Sequence, residues 1–194
     1  LSAIDGVVSK IEDTFGGVDI LINNTGGPAA SPAAGQPVET WGKRFRAMVL
    51  SVIALTDRVL PGMREKKWGR ILTSTSSGII APIPNLAMSN TLRSALTGWS
   101  KTLSREVAKD GITVNIVVPG RIATERVAFL DRTAATRQGV SVEEVEEKSR
   151  ASIPMGRYGK PEEYADMVAF LASERASYVT GSIIRVDGGQ IASI

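Results

Sequence analysis

Residues 69–120 read GRILTSTSSGIIAPIPNLAMSNTLRSALTGWSKTLSREVAKDGITVNIVVPG, and their order of patterns decides the fold. The stretch predicts a strand, a loop, a long helix and a second strand. The first strand, Arg70 to Thr75, delivers the hydroxyls of Ser74, Thr75, Ser76 and Ser77 at and just past its carboxyl end. In the helix, Leu92, Leu96, Trp99, Leu103 and Val107 recur at the spacing of one buried stripe. Ser89 and Arg93 lie one turn apart beside that stripe, so hydroxyl and cation share a face. The second strand, Ile112 to Val118, ends in Pro119-Gly120 and returns the backbone to the same edge. In a parallel sheet that edge is where ligands bind.

Outward from this centre, the same alternation continues. An opening helix carries Ile4, Val7, Val8, Ile11 and Phe15, and Gly16-Gly17 ends it. Leu1 is not a start methionine, and a preceding segment is expected in the natural protein. Val18 to Ile22 predicts a short strand of the buried-parallel kind, followed by the turn-rich run Asn23-Asn24-Thr25-Gly26-Gly27-Pro28. A helix from Val38 to Met63 puts Phe45, Met48, Val49, Val52, Leu55, Val59 and Leu60 inward. After Pro119-Gly120, residues 121–158 predict two helices in a charged segment, read as a substrate lid. Ser141 to Glu144 caps the second of these helices. Pro161-Glu162-Glu163 opens a last helix, and Ser182 to Val186 forms the final strand before Asp187-Gly188-Gly189. Strands alternating with long helices imply right-handed βαβ units. The expectation is one α/β domain over residues 1–194, Rossmann-like and doubly wound with a mostly parallel sheet.

Composition narrows the chemistry. A chain of 194 residues can bury roughly 70% of the surface its unfolded form exposes. With neither cysteine nor histidine, disulfides, thiolate nucleophiles and the commonest metal ligands are excluded, and no metal site is expected. A net charge of +3, spread without clusters, gives no reason to expect nucleic acid or membrane as partner. No apolar run approaches the ~20 residues of a membrane span, and the default placement is cytoplasmic.

Several pieces together resemble the short-chain dehydrogenase/reductase family, and reductases of the 3-oxoacyl carrier-protein type in particular. They are Asn23-Asn24-x-Gly26 after a strand, Trp41 opening a helix, Ser76, the run Pro119-Gly120-x-Ile122-x-Thr124, and the tail Tyr178-Val179-Thr180-Gly181…Val186-Asp187-Gly188-Gly189. The resemblance implies an oxidoreductase that uses NAD or NADP on a small-molecule carbonyl/alcohol pair. It places Asn23, Asn24 and Gly26 at the adenine pocket and the sheet brace. It also has the backbone at Ile122 and the hydroxyl of Thr124, after Pro119 and Gly120, grip the nicotinamide amide. The helices Val38–Met63 and Asn85–Lys109 resemble the pair that joins subunits in this family, so a homodimer or homotetramer is expected.

The sequence departs from the family in two ways. The resemblance begins about a third of the way into the fold, so the glycine-rich loop that holds the cofactor pyrophosphate and the first strands have no counterpart. The chain is accordingly read as incomplete at its N-terminal half, with Val18–Ile22 left as an exposed apolar edge. Further, the family's catalytic serine is retained as Ser76, but its tyrosine position falls on Ser89, its lysine position on Arg93 and its asparagine position on Met48. A phenol of pKa about 10 can be drawn toward neutrality by a neighbouring cation. A serine hydroxyl is a far weaker acid, and a guanidinium does not relay protons. Positioned acid–base catalysis contributes about 10²–10⁴-fold, so the substitutions leave two readings: an enzyme with Ser76, Ser89 and Arg93 in altered roles, or a catalytically silent member that binds a ligand or partner. Arg93 can hydrogen-bond cofactor ribose hydroxyls, or hold a carboxylate or phosphate in its fork.

Each feature also has a purely structural explanation. Ser76 can satisfy its loop, Ser89 can start a helix, and Arg93 can be a surface ion-pair residue. Met48 reads as core, Asn23-Asn24 as a turn, and Pro119-Gly120 as a strand end. Arg121, Arg126, Arg132 and Arg137 read as a solvated helix face, with an acidic substrate or carrier-protein patch as the functional alternative.

Overall fold

In the computed structural model, which covers residues 1–194, four strands lie parallel in sequence order: β1 (Ile20–Asn23), β2 (Gly69–Ser74), β3 (Ile112–Pro119) and β4 (Ile183–Val186). The register pairs Leu21 with Ile71, Ile71 with Val114, and Val117 with Ile184. β2 and β3 are buried on both faces, and this includes their polar residues Arg70, Thr73, Thr113 and Asn115. β1 starts at Ile20, later than the sequence predicts, and it is an edge. Its side chains alternate, with Leu21 buried and Ile20 and Ile22 about half exposed.

Helices cover both faces, so the sheet is doubly wound. One face carries α1 (Ile4–Phe15), α3 (Ser51–Lys66) and α4 (Ala87–Val107). There Val8, Val59, Met63, Leu103 and Val107 pack on Leu21, Ile71 and Val114. The other face carries α7 (Pro161–Ala172), whose Leu171 packs on Leu72 and Val117. Of the five apolar residues of α1, only Val8 is fully buried, and Phe15 is exposed. That stripe is wider than the surface it covers.

The predicted Val38–Met63 helix is three pieces in one rod: α2 (Val38–Phe45), a π-helical turn (Arg46–Leu50) and α3. The π turn contains Met48, which packs with Val49, Val52, Met88, Leu92 and Leu96. Met48 is therefore core, as read from sequence, although it sits in a backbone form that recurs at functional sites. No residue type in Arg46–Leu50 signals the extra turn. Beyond β3 the charged segment folds into α5 (Glu125–Gln138) and α6 (Val142–Ala151). The Ser141 hydroxyl accepts from the Glu144 N–H at 3.1 Å, capping α6 as expected. No helix is long and apolar enough to cross a membrane.

Candidate active site

At the carboxyl edge of the sheet lies a cavity of about 820 Å³, within the range that holds a small ligand or cofactor. Its wall includes Asn24, Gly26, Ser76, Ser89, Arg93, Pro119, Gly120, Ile122 and Thr124. Of the site residues expected from sequence, only Asn23 lies outside this wall. It is buried at the end of β1 and donates from Nδ2 to the Thr56 hydroxyl at 3.4 Å, bracing the strand against α3. Asn24, one residue on, faces the cavity because side chains alternate along the strand.

Two contacts bring Ser76 and Ser89 to one place. Ser76 caps a short 3₁₀ turn, Ser77–Ile79, accepting the Gly78 N–H at 3.2 Å. This local role uses a lone pair and leaves the hydroxyl proton for another acceptor. Gly78 in turn packs so closely on Asn90 that a β-carbon there would collide with the amide oxygen. The loop is thereby pressed onto the first turn of α4, where Ser89 precedes Asn90 and is 6% exposed.

Arg93 is not a surface ion-pair residue. It is 7% exposed, and it donates from Nη1 to the Ser74 carbonyl (3.1 Å) and from Nη2 to the Thr25 carbonyl (3.0 Å). It therefore ties the end of β2 to the loop after β1, and two of its five donors are used in doing so. Burial pushes its pKa down, and the nearby Arg126 guanidinium pushes in the same direction.

Thr124 caps α5, accepting the Val127 N–H at 3.4 Å while donating to the Ile122 carbonyl at 3.3 Å. Two further polar atoms in the cavity wall, Thr75 Oγ1 and Gln190 Oε1, are buried without a hydrogen-bond partner. Such atoms are costly when left unpaired. Together with the hydroxyls of Ser76 and Ser89 and the remaining donors of Arg93, they suit a polar ligand such as the ribose–amide half of a nicotinamide nucleotide.

Tyr164 is a site residue that sequence reasoning misses. From α7 it reaches the same cavity, donating to Ser74 Oγ at 2.8 Å, with the Val117 carbonyl 3.4 Å away. Burial raises its pKa, while the Ser74 hydrogen bond and the positive charge of Arg93 act against that rise. The site therefore contains a phenol near the guanidinium, though on a different element from the one the family's tyrosine occupies. Its position in an amphipathic helix makes it indistinguishable from core by pattern alone.

Both ends of segment 121–158 are tied to one carboxylate within it. Asp131, fully buried on α5, accepts from Arg121 Nη1 at 2.5 Å and from the Tyr158 hydroxyl at 2.9 Å. Arg126 donates to the Pro28 carbonyl at 2.8 Å, joining α5 to the loop after β1. Asp131 is equally inconspicuous in sequence, since one acid among many charges carries no signal of burial.

The profile described as Enoyl-(Acyl carrier protein) reductase matches residues 2–190. The 3-oxoacyl-[acyl-carrier-protein] reductase FabG of Escherichia coli (strain K12) is 37% identical over 190 residues, covering 97% of this chain and 72% of that protein. Among solved structures, YwfH, an NADPH-dependent reductase involved in bacilysin biosynthesis, superposes with a TM-score of 0.94 at 34% identity, covering 100% of this chain and 74% of that one. The L-sorbose reductase of Gluconobacter frateurii, complexed with NADPH and L-sorbose, gives 0.92 at 32%, again over 100% of this chain and 74% of that one. These relatives are reductases, and they give no support to the silent-member reading. With four parallel strands, a cavity at their carboxyl edge and this extent of similarity, the chain belongs to the short-chain dehydrogenase/reductase family.

Proposed function

We propose that the protein is an NAD(P)-dependent oxidoreductase acting on a carbonyl/alcohol pair, of the 3-oxoacyl reductase-like kind. The observation that carries this reading is the gathering of Ser76, Ser89, Arg93 and the Pro119–Thr124 run on one cavity at the sheet's carboxyl edge. The nicotinamide cofactor supplies the hydride when bound. The chain's own residues hold and polarise. The Ser76 and Ser89 hydroxyls donate hydrogen bonds to the substrate oxygen. The Arg93 guanidinium stabilises the negative charge that develops there until the alkoxide takes its proton from water in the cavity. The backbone at Ile122 and the Thr124 hydroxyl orient the nicotinamide amide, and Asn24 and Gly26 flank the adenine side. Segment 121–158 acts as the lid over the substrate.

In place of the family's tyrosine, the phenol nearest the guanidinium is Tyr164. It orients the Ser74 hydroxyl at the cavity wall. The α2–α3 rod and α4, packed on each other through Met48, Val52, Leu92 and Leu96, offer their outer sides as the contact of a homodimer or homotetramer in the cytoplasm. The test is a titration with NADPH and with NADH beside a carbonyl-reduction assay on a broad panel. Cofactor binding with oxidation of the reduced nicotinamide by a carbonyl is expected. Binding without turnover of any carbonyl would refute the enzymatic reading.

A further inference from the structure

The cavity wall has a charge imbalance that hydride transfer alone does not require. It contains four guanidiniums, Arg93, Arg121, Arg126 and Arg137, and no aspartate, glutamate or lysine. Arg121 is neutralised by Asp131 at 2.5 Å. Arg93 and Arg126 form no ion pair, and their acceptors are backbone carbonyls. Both have pKa values lowered first by burial, and Arg93 additionally by Arg126. Two desolvated like charges on one wall are unfavourable unless an anion lies between or beside them.

Room has been made for one of them. At Gly27 a β-carbon would come within 2.8 Å of Arg126 Nη2, so the guanidinium lies directly on glycine backbone. The same wall carries the apolar side chains Ile83 and Leu86, and Val127 and Leu130 beside Arg126 on α5. Of the arginines at 121, 126, 132 and 137, only Arg132 does not line the cavity, and it is exposed. The wall thus selects three of four arginines that a solvated helix face would have left equivalent.

We propose that the carbonyl substrate is an oxo acid with an apolar body, and that Arg126, with Arg93 behind it, holds its carboxylate inside the cavity. This rests on the reductase reading and names the substrate class for it. An oxyanion at these guanidiniums has two sources, the substrate's carboxylate or a cofactor phosphate. The apolar neighbours of Arg126 on the lid favour the substrate.

The experiment measures equilibrium binding at physiological ionic strength, with NADPH present, of pyruvate, levulinate and phenylpyruvate against their methyl esters. Wild type, Arg126→Gln, Gly27→Ala and Arg132→Gln are compared, with folding checked by circular dichroism. Wild type should bind at least one acid roughly 10- to 100-fold more tightly than its ester, the range given by one charge-assisted fork. Arg126→Gln should abolish that preference, and Gly27→Ala, which displaces the guanidinium, should reduce it. Arg132→Gln, with the same charge change on the same helix, should retain it.

Equal binding of acids and esters by wild type would overturn the proposal, as would equal losses in Arg126→Gln and Arg132→Gln. Weaker NADPH binding by Arg126→Gln with the acid preference intact would assign the charge to the cofactor and overturn it too. If acids bind as expected but no carbonyl is reduced, the reductase reading fails and the anion site stands. Reduction of neutral ketones without an acid preference gives the reverse.

Discussion

Replacing Arg93 by methionine keeps an unbranched stem of similar length in the same pocket, so packing changes little while the guanidinium and its donors are lost. Two effects oppose each other. The Ser74 and Thr25 carbonyls lose the hydrogen bonds now made at 3.1 and 3.0 Å, and bonds to a charged donor contribute about 1.5–3 kcal/mol each. Against this, a buried charge is removed, which relieves its desolvation. Arg93 borders the cavity, so its burial is incomplete and solvent in the cavity can reach the bared carbonyls in the variant. Both terms shrink, and the hydrogen bonds remain the larger.

The net expected loss is about 1–3 kcal/mol. For a domain of this size each kcal/mol moves Tm by about 2–4 °C, so Tm should fall by about 2–12 °C. Arg93→Lys keeps the charge but reaches one carbonyl at a time, and about half the loss is expected. The assay is reversible thermal or urea unfolding followed by circular dichroism. A Tm for Arg93→Met equal to or above wild type would mean that desolvation outweighs the tie between β2 and the loop after β1, the opposite of what is expected.

Other perturbations probe separate parts of the molecule. Tyr164→Phe removes the hydroxyl bonded to Ser74 and should cost about 0.5–1.5 kcal/mol; in a double-mutant cycle with Ser74→Ala the two losses should be less than additive, and strict additivity would deny the contact. Leu96→Ala, at a side chain 1% exposed between the α2–α3 rod and α4, should cost about 2–5 kcal/mol in urea unfolding. Asp131→Asn weakens the fastening to Arg121 and Tyr158, and hydrogen exchange should rise in residues 121–158 ahead of the sheet. Glu163, paired with Arg157 and accepting the Lys160 N–H, has its pKa lowered from 4.5 to about 2. Its contribution is therefore present above the unfolded value and is lost as pH falls toward the folded one. Glu163→Gln should flatten the stability profile in that acid window, as read by thermal unfolding at successive pH values.

The architecture is legible in the sequence because periodicity records burial. The apolar residues Ile71-Leu72 of β2 and Ile116-Val117-Val118 of β3 and the Leu92–Leu96–Leu103–Val107 stripe of α4 correspond to surfaces that are covered. The approximate place of the site is legible too, since strand ends in a parallel sheet gather at one edge. What composition does not encode is direction and pairing. The π turn at Arg46–Leu50 changes which residues face inward without changing the residue types. Asn23 and Asn24 look alike in sequence, yet alternation sends one to Thr56 and the other to the cavity. The place of Arg93 beside the buried stripe of α4 is legible from its spacing, but its backbone-carbonyl partners are not. Tyr164, Asp131 and the selection of Arg126 over Arg132 depend on contacts between elements far apart in the chain, and no local pattern specifies them.

Whether the three side chains Ser76, Ser89 and Arg93 surround a nicotinamide is decided by a crystal structure of the protein with NADPH. The nicotinamide amide should lie within hydrogen-bonding distance, about 3.5 Å or less, of the Ile122 backbone and the Thr124 hydroxyl, with those three side chains around the ring and its ribose. A nicotinamide bound away from them would contradict the reductase reading of this cavity.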